Sequence, residues 1–344
     1  MTTDSRIRVL VVDDSAFARK VIREILSASP RIVVVGTARD GLEALERVIE
    51  LKPDVITLDL VMPNLDGVGV LRALPQAGRP RVIVVSISDG NSDLGVEALQ
   101  AGAIDIVQKP TALATDRLFE LADELTKKVI IAASASAGRE ESPSSTGVIP
   151  SPLHGRIRIV VIGTSTGGPQ ALSRLIPALP GDLPVPVAVA LHIPAGYTDA
   201  LSRRLDAASA LRVVEATISK TELTPGLAVI ARGGTHLVIT RGERGPAAEL
   251  DFSAQKSPYT PSVDLLFWTA ADVYGDGVLG VVLTGMGDDG LLGSRAIRDA
   301  GGAVLVESAM SCIVDGMPRA VRSAGLAVGE APLTSMATRI ASML

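Results

Sequence analysis

Residues 8–15 read RVLVVDDS: an apolar run, Arg8–Val12, that ends on two adjacent aspartates, Asp13 and Asp14. Four more short apolar runs follow, at Ile32–Val35, Val55–Leu58, Val82–Val85 and Ile104–Val107. The segments between them carry helical spacing, as in Leu42, Leu45 and Val48–Ile49. Five β/α units within roughly 130 residues predict a doubly wound α/β domain with a five-stranded parallel sheet.

The whole chain has 344 residues, more than one such domain needs. Hydrophobic residues make up 47% and aromatic residues only 2%, so the cores must be built from Val, Ile, Leu and Ala. That palette suits parallel sheets buried on both faces. The formal net charge is −5 and no basic stripe is present, which argues against nucleic-acid binding. A single cysteine, Cys312, excludes an intramolecular disulfide and a cysteine-based zinc site. The start, Met1–Arg8, is polar, without the apolar region of a secretory signal. No apolar run reaches the roughly 20 residues of a membrane span. The expectation is a cytoplasmic monomer without direct membrane insertion.

Residues 132–155, AASASAGREESPSSTGVIPSPLHG, are rich in Ser, Ala, Pro and Gly and lack apolar periodicity. They predict a flexible linker between a domain at 1–131 and a second at 156–344. In the second, Ile157–Ile162, Val185–Leu191, Leu211–Ala216, Val278–Leu283 and Ala303–Val306 read as strands. Leu227–Ile230 and His236–Ile239 read as a hairpin or meander about Gly233–Gly234, and Leu333–Leu344 as a closing helix. A mostly parallel, Rossmann-like α/β domain is expected. The two halves carry different chemistry at their strand ends, so no internal repeat is inferred.

Ligands of open α/β sheets gather beyond the carboxyl ends of the strands. Asp13 and Asp14 follow the first strand, Asp59 the third, Ser86 ends the fourth and Lys109 follows the fifth. Any one of these alone reads better as a solvated loop residue; five at matching strand ends do not. Three close carboxylates repel unless a cation sits between them, and hard oxygen donors suit Mg²⁺. The blocks VVDDS, LDLVMPNLDG and DIVQKP, with the serine after VIVV, resemble the response-regulator receiver family over about residues 6–128. The resemblance implies that Asp59 accepts a phosphoryl group from a histidine kinase. Asp13 and Asp14 would help hold Mg²⁺, Ser86 would follow the phosphate and Lys109 would pair with it. Ile106 stands where relatives often carry an aromatic residue, so an aromatic switch of that kind is not available.

In the second half, VVIGTSTGGPQAL (160–172) runs from an apolar strand into a Gly-rich turn and a helix start. Pro169 stands where a phosphate-binding loop needs Lys, and Thr164–Ser165 breaks a dinucleotide fingerprint. Gly163–Gly167 does match the G-x-S-x-G spacing of a nucleophile turn, with Ser165 as the nucleophile. A serine nucleophile needs a base, and the chain holds three histidines. His154 lies in the expected linker and His236 in the expected hairpin. His192 ends the run VPVAVALH, on the same sheet edge as Ser165. A third strand end, VLGVVLTGMGDDG (278–290), offers Asp288 and Asp289 as the orienting acid; whichever does not face His192 is left to cap a helix. The order Ser, His, Asp differs from the Ser, Asp, His of ordinary α/β-hydrolases.

That order, with IGTSTGGPQAL, HIPAGYT, TPSVDLLFWTAA, VVLTGMGDDG and SCIVDGMPRA, resembles the CheB family of protein-glutamate methylesterases with an attached receiver. The resemblance covers 156–340. It implies Ser165, His192 and Asp289 as catalytic residues, with Asp289 preferred over Asp288. Oxyanion donors would come from the Thr166 region and the Met286 backbone N–H. It further implies hydrolysis of glutamyl γ-methyl esters on chemoreceptor cytoplasmic domains, release of methanol, and deamidation of receptor glutamines. A chemotaxis-type kinase would be the phosphoryl source, and phosphorylation would relieve inhibition by the receiver. The hydrolase half should need no cofactor. Departures include Arg232, Tyr259 where histidine is common, Val306–Met310 in place of a glutamine-acid stretch, and Asp315 in the FGMP block. They are expected on the cleft rim, touching substrate range rather than chemistry. A non-enzymatic partner-binding domain, a hydrolase of another acylated protein and a receiver-controlled transcription factor are the rival readings.

Overall fold

Val9–Val12 and Val55–Leu58 are fully buried, as strands covered on both faces must be. The structure is a computed structural model and describes residues 6–75, 78–86, 92–109, 115–134, 157–253 and 257–344. The chain forms two compact units, 1–135 and 136–344.

In the first unit the order is β1 (Ile7–Val12), α1 (Ala16–Ser27), β2 (Ile32–Ala38), α2 (Gly41–Leu51), β3 (Val55–Leu58), α3 (Gly67–Ala73), β4 (Arg81–Ser86), α4 (Ser92–Gln100), β5 (Asp105–Gln108) and α5 (Thr115–Ser134). The sheet runs β2-β1-β3-β4-β5, and every pairing is parallel. Chain direction across the sheet reverses between β1 and β3, the place where ligands of such sheets bind. Ser15 caps α1 and Asp40 caps α2, each accepting a backbone N–H of the first turn. Helix α5 extends to Ser134, three residues into the expected linker; the rest of that linker, with His154, lies outside the described residues.

The second unit continues with β6 (Ile159–Thr164), α6 (Gly168–Ala178), β7 (Val187–Leu191), α7 (Thr198–Ala208), β8 (Arg212–Glu215), β9 (Thr221–Glu222), β10 (Leu227–Ile230), β11 (His236–Gly242) and β12 (Gly245–Asp251). It closes with α8 (Val263–Tyr274), β13 (Val278–Val282), α9 (Leu291–Asp299), β14 (Ala303–Glu307), α10 (Met317–Ser323), β15 (Gly329–Ala331) and α11 (Leu333–Ala341). Seven parallel strands are ordered β15-β14-β13-β6-β7-β10-β8, with the switch point between β6 and β13. Val161, Phe267, Val282 and Ile297 meet in the core between sheet and helices.

The expected hairpin about Gly233–Gly234 does not form. β10 enters the parallel sheet beside β7 and β8, and all four of its residues are buried. β11 instead folds back on β12 around Glu243–Arg244, in a separate three-stranded sheet with β9. A short apolar run does not declare which sheet it joins, and Leu227–Ile230 is apolar on both faces, as a buried parallel strand requires.

Candidate active site and acidic cluster

The first unit gathers its aspartates at the β1/β3 switch point. Ligand oxygens of Asp13, Asp14 and Asp59 all lie within 4.8 Å of one another. Asp13 and Asp59 are buried and Asp14 is exposed. Lys109 reaches over from the end of β5, its Nζ 2.5 Å from Asp13 Oδ2 and 2.6 Å from Asp59 Oδ2. The Arg19 guanidinium donates to the backbone carbonyls of Asp13 and Asp14, fixing the loop. Burial pushes the Asp13 carboxyl above its usual range, against the opposing pull of Lys109. Ser86 is buried at the end of β4, where its carbonyl accepts the Lys109 N–H at 2.9 Å. Ile106 is fully buried, and Lys128 from α5 donates to its carbonyl and pairs with Asp105.

In the second unit Ser165 follows β6 and His192 follows β7. The two strands pair Thr164 with Leu191, and the His192 N–H donates to the Thr164 carbonyl. The turn at Ser165 is closed by Gly168 N–H donating to the Ser165 carbonyl at 2.7 Å. Gly167 adopts φ +81° there, and a β-carbon on it would meet Ile313 at 2.9 Å. Ser165 retains 8% exposure, and among the described residues its hydroxyl has no hydrogen-bond partner.

His192 Nε2 lies 2.8 Å from Asp289 Oδ2. Asp289 is buried and also accepts Val263 N–H at 2.7 Å, Asp264 N–H at 2.9 Å and the Ser262 hydroxyl at 3.2 Å. Burial works to raise its carboxyl, but the imidazole and these N–H groups outweigh it and hold it below the usual range. Asp288 is exposed and contributes its carbonyl to the Leu291 N–H. Of the two aspartates, Asp289 is therefore the one that faces His192. With Nε2 engaged, Nδ1 is the nitrogen left for a serine proton.

Thr166 lies in the turn after Ser165, and Met286 in the loop that approaches it. A β-carbon on Gly285 would lie 3.0 Å from Ser165 N and 2.9 Å from Ser165 Cβ, so only glycine lets this loop approach. Met286 follows it directly, half-buried. Thr284 ties the pieces together. Its carbonyl accepts Ser165 N–H and the Thr164 hydroxyl, and its own hydroxyl donates to the Thr166 carbonyl at 3.0 Å. Glu307 accepts Thr284 N–H at 2.8 Å and the Ser311 hydroxyl at 2.9 Å.

Sequence reasoning missed four of these positions. Tyr259 lies flat on His192, ring centroids 4.7 Å apart and planes 4° apart. It is a wall of the imidazole, not a rim residue. Glu307 is likewise no rim residue: it is fully buried behind Thr284, and burial raises its carboxyl. Both stood out in the sequence as departures from a pattern, which marks a position without saying what it touches. Thr284 and Ser262 lie inside the blocks VVLTGMGDDG and TPSVDLLFWTAA, but nothing in those blocks marked what either side chain would bind. His236 is structural: buried, its Nδ1 accepts Ser262 N–H at 3.2 Å. Cys312 is buried, with its thiol pushed far above its usual value, and is no nucleophile.

Two switch points, one lined by carboxylates and a lysine and one by a serine, a histidine and an aspartate, define a receiver-plus-esterase class of α/β protein. A family model described as CheB methylesterase matches residues 160–340, and one described as response regulator receiver domain matches 9–122. The protein-glutamate methylesterase/protein-glutamine glutaminase 5 of Myxococcus xanthus is 57% identical over 340 residues, covering 98% of this chain and 97% of that one. The protein-glutamate methylesterase/protein-glutamine glutaminase of Thermotoga maritima is 40% identical, covering 94% and 95%. The crystal structure of the Thermotoga maritima CheB methylesterase catalytic domain superposes with a TM-score of 0.53 at 37% identity, covering 55% of this chain and 99% of that one. The chain belongs to the CheB methylesterase family and carries a response-regulator receiver domain. Among the described residues no helix is long and apolar enough to cross a membrane.

Proposed function

We propose that this chain is a phosphorylation-controlled protein-glutamate methylesterase that also deamidates glutamine. The observation that carries the reading is the 2.8 Å contact of His192 Nε2 with buried Asp289, one strand over from a serine in a nucleophile turn. Ser165 Oγ attacks the γ-ester carbonyl while His192 Nδ1 takes its proton. Asp289 holds the Nε2–H tautomer and stabilises the imidazolium. The Met286 N–H and the Thr166 turn face the oxyanion. Methanol leaves with the proton from His192. Water then attacks the acyl-serine by the same base, and a glutamate carboxylate is released. A glutamine side chain follows the same course with ammonia leaving.

In the receiver, Asp59 is the phosphoryl acceptor. Asp13, Asp14 and Asp59 fit Mg²⁺, because the cluster is all oxygen and carries more negative charge than Lys109 offsets. When bound, the ion neutralises charge on the transferring phosphoryl group. Lys109 pairs with the product phosphate, and Ser86 supplies a hydroxyl to it. The phosphoryl source is a chemotaxis-type histidine kinase, and the substrates are methylated chemoreceptor cytoplasmic domains. The setting is cytoplasmic and the hydrolase unit works without a cofactor.

Methanol release from methylated receptor membranes, with and without a small phosphodonor and beside unrelated esters, tests the reading. Ser165→Ala should lose about 10⁴-fold or more of the rate. Unchanged hydrolysis in that variant would support a partner-binding role instead. Hydrolysis of other acyl esters but not of receptor membranes would point to a different acylated protein.

A further inference from the structure

We infer that Asp264 is a positioning residue for Asp289, acting as a helix cap supplied in trans; the inference rests on the Ser165–His192–Asp289 reading. Helix α9 begins at Leu291, and its N-cap is Gly290, in a left-handed conformation with φ +99° and no side chain to cap with. The first backbone N–H groups of a helix need acceptors from outside it. Here one oxygen of Asp264 takes two of them, Gly290 N–H at 2.9 Å and Gly293 N–H at 2.7 Å. Asp264 itself lies in the first turn of α8. The arrangement is reciprocal. Asp289, the residue just before Gly290, accepts Val263 N–H and Asp264 N–H from the start of α8. Two helix N-termini therefore face each other, each satisfied by a carboxylate from the other strand-to-helix connection.

The close approach is built in. A β-carbon on Gly293 would stand 2.9 Å from Asp264 Cα and 2.5 Å from Phe267 Cβ. Side-chain bulk at 293 would separate the helices and break the cap. Asp264 touches neither His192 nor the reacting atoms. Its grip fixes the turn in which Asp289 sits, and with it the aim of Oδ2 at His192 Nε2. Burial above all, with the nearby negative charges of Asp289 and Asp288, opposes ionisation of Asp264. Two positive helix ends favour it. What the site needs from Asp264 is an acceptor at that point, and a neutral carbonyl oxygen meets the need.

Three variants of the full chain separate acceptor geometry from charge. Asp264→Asn keeps an oxygen in place and should hold kcat within about threefold. Asp264→Glu keeps the charge on a longer arm and should lose at least tenfold in kcat with KM within twofold. Asp264→Leu should behave like Asp264→Glu. In parallel, proton NMR reads the His192 Nε2–H resonance, which is independent of turnover. The signal should persist in Asp264→Asn and move or vanish in Asp264→Glu. If Asp264→Leu does not fold, the Asn and Glu pair decides alone. An active Glu variant beside an impaired Asn variant, or an unmoved NMR signal in all folded variants, overturns the proposal. Retained activity in Ser165→Ala would instead sink the catalytic reading, leaving the NMR result to judge the positioning.

Discussion

At the residue scale, one carboxylate organises the hydrolase site. Asp289 satisfies two backbone N–H groups of α8 and still turns an oxygen to His192. Replacing it by Asn offers an amide N–H to a nitrogen that already carries a proton, which favours the wrong imidazole tautomer. Asp289→Asn should therefore lower kcat about 10³–10⁴-fold, as measured by initial rates of methanol release. The two neighbouring acids have opposite pH signatures. Asp289 is held below its ordinary 3.8, so its ionised form adds stability above that value and loses it only as pH falls through the lower folded one. Asp264 is raised to about 6, so the folded state holds a proton that the unfolded state has released between about pH 4 and 6. Its contribution to stability falls as pH rises through that window. Asp264→Asn should abolish this component and leave the hydrolase unit at least as stable as the parent at pH 7. Urea melts followed by the fluorescence of Trp268, the single tryptophan, measure it at pH 4.5 and pH 7. Equal pH dependence in the two proteins would contradict the assignment.

At the element scale, the connections after β6, β7 and β13 matter more than the helices behind them. Thr284 is bonded to the turn at Ser165 by its carbonyl and hydroxyl and to Glu307 by its N–H. A glutamine at 307 presents the same acceptor to Thr284 and an N–H to Ser311, without a buried carboxyl to neutralise. Glu307→Gln should keep kcat within about threefold and raise Tm at neutral pH. Glu307→Ala leaves a cavity and an orphaned N–H, and should destabilise by about 2–4 kcal/mol. Thermal melts and methanol-release rates on the same samples check both. Gly163 gives a second test. A β-carbon there would collide with Val263 at the start of α8. Gly163→Ala should cost about 1–3 kcal/mol through overpacking and push Ser165 and Asp289 apart, so a fall in kcat should accompany the fall in Tm.

At the scale of the molecule, a receiver domain and a methylesterase domain share one chain, and the proposed control requires only a shift in population between a less and a more active state. About 1.4 kcal/mol moves such an equilibrium tenfold. Acetyl phosphate with Mg²⁺ should stimulate methanol release by the full chain. The stimulation should disappear in Asp59→Asn and on chelation of the ion. A response that survives Asp59→Asn would place the switch elsewhere.

How far the sequence reads depends on the range of the interactions. The parallel sheet of the first unit and the strand ends carrying Asp13, Asp14, Asp59, Lys109, Ser165, His192 and Asp289 were legible, because burial on both faces forces unbroken apolar runs and ligands lie where those runs stop. The scarcity of histidine narrowed the proposed base to His192 without any coordinates, and the structure puts that ring against Asp289. Tertiary structure alone decided that Leu227–Ile230 joins the parallel sheet while His236 starts a separate one, since either pairing satisfies the same apolar run. It also decided that Tyr259 covers His192, that Glu307 braces Thr284 and that Asp264 caps a helix other than its own. Hydrogen bonds and ring contacts between residues 23 to 67 positions apart leave no periodic trace in the chain. They exist only once the sheet has brought its strand ends together.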